Sequence, residues 1–109
     1  MSNDSITVTT PRGNNYTYYI HSIANTIWSN KAGNYMFAYK QQDGAWTVLY
    51  AGLTTDFKAR FANHDKLTSA QRKGATHILA HVNENSVARA NEEAEIIGWL
   101  KPVLNDQLK

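Results

Sequence analysis

VLYAGLTTDFKARFANH, residues 48–64, opens as a strand and closes as a helix. Its polar residues Tyr50, Arg60 and His64 fall on the apolar side of these elements. On a helical wheel of about 100° per residue, Phe57 and Phe61 define the buried stripe. Arg60 and His64 lie at its margin, one turn apart and on the same side, while Lys58 and Ala59 point elsewhere. A long cation at such a margin can snorkel to water. Pairing it with an imidazole one turn later suits a bound anion, because the guanidinium is a fixed fork of donors and the imidazole can move a proton.

Upstream, GNYMFAYKQQDGAWTVLYAG (residues 33–52) holds two β-rich runs around Asp43-Gly44, a two-residue hairpin signal. That turn sets Gln42 opposite Ala45 and Phe37 opposite Tyr50. Tyr35, Phe37 and Tyr39 then share a face with Val48 and Tyr50. Tyr35 and Tyr50 become diagonal neighbours with Cα atoms roughly 7–8 Å apart. Two phenols at that spacing either pack as amphipathic core or project into one space.

Further outward, SITVTT and YTYYIH flank the turn-rich PRGNN and read as an N-terminal hairpin. HSIANTIWSN fits a short helix or a loop. TTDFKARFANHDKL reads as one helix capped by Thr55 or Asp56, followed by LTSAQRKG as a basic loop. ATHILAHV is strand-like. NSVARANEEAEIIGWL is a second helix, capped by Asn85 or Ser86 and stopped by Pro102, with VLNDQLK as a short tail. This order predicts one α+β domain with a small, mostly antiparallel sheet flanked by helices.

The second helix carries the least expected residue. With its wheel centred on Glu93, Arg89, Ile96 and Leu100 lie on one side and Ala90 and Ile97 on the other. Glu92 and Glu95 point to water. A carboxylate on a buried face must be paired, protonated or bound to a metal. An ion pair with Arg89 is one outcome, although that order is the weaker one in a helix. A functional carboxylate is the other.

The bulk numbers narrow the function. The chain has 109 residues, 42% of them hydrophobic and 18% charged, which suits one compact domain. Without cysteine, disulfides and thiolate zinc sites are excluded. No apolar run is long enough for a bilayer, and MSNDSITVTT lacks the layout of a secretion signal, so a cytoplasmic protein without membrane contact is expected. Net charge is only +2, yet Lys58, Arg60, Lys66, Arg72 and Lys73 crowd the middle against Asp56 and Asp65. Such a face would hold a phosphate backbone or simply be solvated. His77 and His81 share a strand face but stand roughly 13 Å apart, too far for one metal. His21 has no companion, and Trp28, Trp46 and Trp99 read as packing residues. There is no Gly-rich phosphate loop, no Ser-His-Asp set and no HExxH.

GNY at Gly33–Tyr35, followed by YAG at Tyr50–Gly52, resembles the two signature tripeptides of the GIY-YIG nuclease superfamily. Arg60 and His64 follow at that family's spacing. EAEIIGWLKPVLN resembles its C-terminal pattern and aligns Glu93 with the metal-binding glutamate and Asn105 with the late asparagine. The resemblance spans Gly33 to Asn105, leaving residues 1–32 as an added extension. Asn34 and Ala51 replace the usual aliphatic centres, departures expected to affect packing only. Leu53 replaces a small polar residue or lysine, which removes a phosphate or water contact.

The resemblance implies a metal-dependent endonuclease that hydrolyses DNA with Mg2+ or Mn2+. Glu93 would hold the ion and Arg60 would neutralise the phosphate. Tyr35 would activate water, with His64 as a proton relay and Tyr50 as the orienting phenol; the two tyrosines are exchangeable in role. Asn105 would fix the site. Lys58, Lys66, Arg72 and Lys73 would contact DNA, with a homodimer or a partner protein adding specificity. The alternative is a non-catalytic nucleic-acid-binding module that keeps the same fold.

Overall fold

The structure, a computed structural model, describes residues 4–105. Its elements run β1 (Ser5–Thr9), β2 (Asn15–Ser22), β3 (Gly33–Lys40), β4 (Trp46–Thr54), α1 (Phe57–Ala62), α2 (Asp65–Arg72), β5 (His77–Val82) and α3 (Ser86–Leu100). The strands form one sheet in the order β1-β2-β5-β3-β4, with every neighbouring pair antiparallel. The expected α+β architecture holds. A three-stranded core, β5-β3-β4, is extended by the N-terminal hairpin through the pairing of β2 with β5. The last four residues of the expected tail lie outside the described residues. No helix among the described residues is long and apolar enough to cross a membrane.

β3 organises the core. Gly33 through Ala38 are buried, because both faces of this strand are covered, and GNYMFAYK accordingly lacks polar alternation. Tyr35 and Phe37 face one layer with Leu49, Phe57, Ile78 and Leu104. Met36 and Ala38 face the other with Tyr18, Leu79 and Ile96. α1 and α2 supply the first layer through Phe57, Phe61, Leu67 and Ala70. α3 covers the second with Ile96, Ile97 and Leu100.

The β3–β4 turn differs from the two-residue expectation. Gln41 N–H donates to the Ala45 carbonyl at 2.7 Å, so Gln42, Asp43 and Gly44 form a three-residue loop. Gly44 takes φ +93°, a conformation that favours glycine. The register therefore starts one residue out, with Lys40 opposite Trp46. Leu49 is then an extra residue between the pairs Ala38–Val48 and Phe37–Tyr50, and this bulge restores the expected Phe37–Tyr50 pair. Its consequence is that Val48 packs with Ala38 on the opposite face from Tyr35 and Phe37, not beside them.

The single helix expected over residues 54–67 is two. Asp56 caps α1 by accepting from Ala59 N–H at 3.2 Å. Asn63 leaves helical space at φ −150°, and His64 is extended at φ −125°. The His64 ring then caps α2, its Nδ1 accepting from Lys66 N–H at 3.1 Å. Arg60 and His64 are thus not on one helix. The expected basic loop is helical through Arg72, with Lys73 as its C-cap.

α3 starts at Asn85, whose side chain accepts from Ala88 N–H at 2.9 Å. It ends at Lys101, left-handed at φ +48°, ahead of Pro102. Its buried face is rotated by one residue from the expected wheel. Arg89, Glu92 and Ile96 are the buried positions, and Ala90 is exposed. Glu92 therefore does not point to water: it accepts hydrogen bonds from Tyr18 Oη at 2.5 Å and from His81 Nε2 at 2.7 Å. Glu95 is also engaged, accepting from Asn14 Nδ2 at 2.8 Å and Tyr16 Oη at 2.7 Å. Arg89 donates through Nη1 to the Asn83 carbonyl at 2.9 Å, which removes it as the partner considered for Glu93. The wheel misplaced Glu92 because polar partners waiting on a sheet face leave no trace in one helix's periodicity.

Candidate active site

Tyr35 is the centre of the site. It stands on the α1/α2 face of β3 and is 2% exposed. Gly52, opposite it on β4, makes this possible. A Cβ there would lie 2.7 Å from Tyr35 Oη and 3.1 Å from the Tyr50 ring, so only glycine leaves room for the phenol.

His64 reaches Tyr35 from the α1–α2 junction. Its Nε2 lies 2.7 Å from Tyr35 Oη. Because Nδ1 accepts the Lys66 N–H, the hydrogen of the neutral ring resides on Nε2 and is donated to the phenol oxygen. Burial, and then the positive charge of Arg60, depress the His64 pKa to about 4. His64 is therefore a neutral donor that fixes the phenol oxygen. Tyr35's own hydroxyl hydrogen is left to point elsewhere.

Tyr50 completes the aromatic wall. Its ring centroid lies 6.3 Å from that of Tyr35 and 5.3 Å from that of His64. Burial pushes both phenols up; Arg60 opposes this at each through its charge and hydrogen bonding, while the charge of Glu93 adds to it. Burial alone lifts the Glu93 carboxyl. Arg60 itself sits at the end of α1, with Nη1 3.4 Å from the Asn63 carbonyl.

Tyr35, Tyr50, Arg60 and His64 thus meet, and the carboxylate of Glu93 on α3 acts on both phenols. Asn105 serves otherwise. Its Oδ1 accepts from Ala51 N–H and its Nδ2 donates to the Ala51 carbonyl, both at 2.9 Å. This pair satisfies the outer edge of β4 beside Tyr50 and Gly52. Asn34, which the sequence suggested was a packing change, is a strut. Its Nδ2 donates to the Arg89 carbonyl at 3.0 Å, and its Oδ1 accepts from Asn83 Nδ2 at 3.1 Å, so β3 holds the helix that carries Glu93. A buried amide between a strand and a helix is the kind of signal sequence offers only once the helix is placed.

The basic residues divide. Lys66 adjoins the site, since its charge contributes to lowering the His64 pKa. Lys58 is exposed on α1. Arg72 and Lys73 are exposed at the far end of α2, about 12 Å along its axis from His64.

Among the described residues no three His, Asp or Glu side chains converge as a ready-made metal cage. Glu93 alone would leave a divalent cation mostly to water and substrate oxygens, which is how Mg2+ prefers to be held. A half-buried carboxylate with a burial-raised pKa also gains from a nearby cation, so the residue set fits the ion. Compared with models of known protein families and with curated proteins, the chain matches none.

Proposed function

We propose that this protein is a metal-dependent endonuclease that hydrolyses DNA phosphodiester bonds. One observation carries the reading: side chains from β3, β4 and the α1–α2 junction meet around the Tyr35 hydroxyl, where the charges of Arg60 and Glu93 are both felt. Arg60 binds the phosphate and offsets charge that grows on its oxygens as the bond breaks. His64 donates to Tyr35 Oη and so favours the phenolate over the phenol. Arg60 works in the same sense. Burial works against it, so Tyr35 acts as a base only with further positive charge nearby. Glu93 would hold Mg2+ or Mn2+, which would supply that positive charge and Lewis-acid polarisation of the phosphate. Tyr50 orients the water or the phosphate, and Asn105 keeps β4 in place.

The test is magnesium-dependent nicking of supercoiled plasmid by purified protein and by Glu93→Ala. The expected outcome is nicking by wild type and none by a folded Glu93→Ala. Wild-type-like nicking by that variant removes the metal role. Absence of nicking by wild type, with duplex binding retained, leaves the non-catalytic binding module.

A further inference from the structure

An open groove of ≈ 600 Å³ lies on the α1/α2 side of the sheet, beyond the site. Tyr19 and His21 of β2, Ala80 and Val82 of β5, and Ile27 and Trp28 of the connecting loop line it. Its size falls within the range of small-molecule pockets. The floor is low because Tyr19 pairs across the sheet with the small Ala80.

The groove's exposure is not that of a packed core. Ile27 is 96% exposed, Val82 54% and Tyr19 47%. Ile27, Val82 and Tyr19 together expose an apolar rim around the groove. The rings are already arranged against one another. His21 and Trp28 lie 4.8 Å apart between centroids, and Trp28 meets Phe61 edge-on at 4.6 Å.

Two features choose the occupant. First, no Asp or Glu lines the groove, while Lys58 lines the adjoining hollow that shares Thr26, Ile27 and Trp28. Lys58 thus gives one positive charge at the groove's edge, which suits a phosphate attached to an aromatic group. Second, the groove is joined to the site. Phe61 contacts Tyr35 at 4.9 Å on one side and Trp28 at 4.6 Å on the other, so one phenyl ring separates the two.

We propose that this groove binds unpaired nucleobases of a single-stranded stretch of DNA, which stack on Tyr19 and Trp28 while Lys58 meets the backbone. Aromatic platforms beside a basic track bind single strands without a sequence code, since every base has a π-face. Ile27 packs its side chain against the bases at the groove's lip. The consequence for cleavage, a preference for scissile bonds next to unpaired bases, rests on the nuclease reading; the binding does not.

The experiment titrates a 12-nucleotide oligothymidine into the full chain in EDTA, reading tryptophan fluorescence and anisotropy of a labelled strand, with a duplex of equal length as control. The single strand is expected to quench fluorescence, and the duplex to bind more weakly without quenching. Trp28→Phe should remove the quenching. Tyr19→Ser, at an exposed position whose loss does not threaten the fold, should weaken binding by roughly tenfold or more. Unchanged strand affinity in both Tyr19→Ser and Ile27→Ser overturns the proposal, as does equal quenching by the duplex. So does self-association in sedimentation that Ile27→Lys abolishes without changing strand affinity, because the patch is then an interface between copies. Plasmid nicking, measured separately in magnesium, distinguishes the readings. Strand binding without nicking sinks the nuclease alone, and nicking without strand binding sinks the groove alone.

Discussion

His64 is a single residue with two structural tasks. Its Nδ1 starts α2 and its Nε2 holds Tyr35. The first task needs the neutral ring, because a protonated Nδ1 cannot accept the Lys66 N–H. The folded pKa is about 4 against 6.5 for a free imidazole. Between those values the unfolded chain binds more protons than the native one, so the stability contributed by His64 is complete above 6.5 and is lost as pH falls towards 4. Glu93 works in the opposite sense, because its raised carboxyl pKa favours the native state at low pH. The melting temperature of wild type should therefore fall further between pH 6.5 and 4 than that of His64→Gln, by roughly 4 °C or more, which corresponds to about 1 kcal/mol for a domain of this size. Equal pH dependence in the two proteins contradicts the assignment. Tyr35, Tyr50, Arg60 and His64 were singled out by their place on apolar faces together with the resemblance, and the structure brings these four side chains together. The tautomer of His64 was not legible in the sequence, because it depends on one backbone N–H that only the break at Asn63 brings into reach.

At the level of elements, β4 is an edge strand that must present a glycine inward and satisfied backbone outward. Gly52→Ala places a methyl where the Tyr35 hydroxyl lies. The phenol must shift, and on the nuclease reading this misplacement should lower nicking about 10²-fold. Circular dichroism should remain close to wild type. Asn105→Ala removes both side-chain bonds to Ala51 and leaves a buried N–H and carbonyl unpaired. Denaturant titration should show a loss of about 1–3 kcal/mol. Amide exchange at Ala51 should accelerate more than at Met36 in the strand beside it. The elements themselves were largely legible: both hairpins, the last strand and α3 with its Asn85 cap follow from alternation and capping chemistry. The division of α1 from α2 was missed, although Asn63 followed by Asp65 carries a stop and a start. The apolar period continues across Asn63, and it concealed the break.

Across the whole molecule, the two faces of the sheet have separate polar centres. Tyr35 and His64 occupy one. Tyr18, His81 and Glu92 occupy the other, beneath α3. Glu92 is bonded within the second centre, whereas the charge of its neighbour Glu93 is felt at Tyr35 and Tyr50. Glu92→Ala strips the buried Tyr18 and the half-buried His81 of their acceptor and should cost about 3 kcal/mol in a denaturation curve. Per folded molecule its nicking should remain near wild type, whereas Glu93→Ala keeps stability and loses nicking. The reverse pattern would exchange the roles of the two glutamates.

The sequence by itself determined the α+β class, the order of most strands and helices, and the Asn85 cap of α3, because these depend on local periodicity and on side-chain chemistry. Tertiary structure alone decided the rotation of α3, the face taken by Val48, the donor role of His64 and the groove beside Trp28. Each of these is set by contacts between segments remote in the chain, where a one-residue bulge or a waiting hydrogen-bond partner outweighs the local pattern.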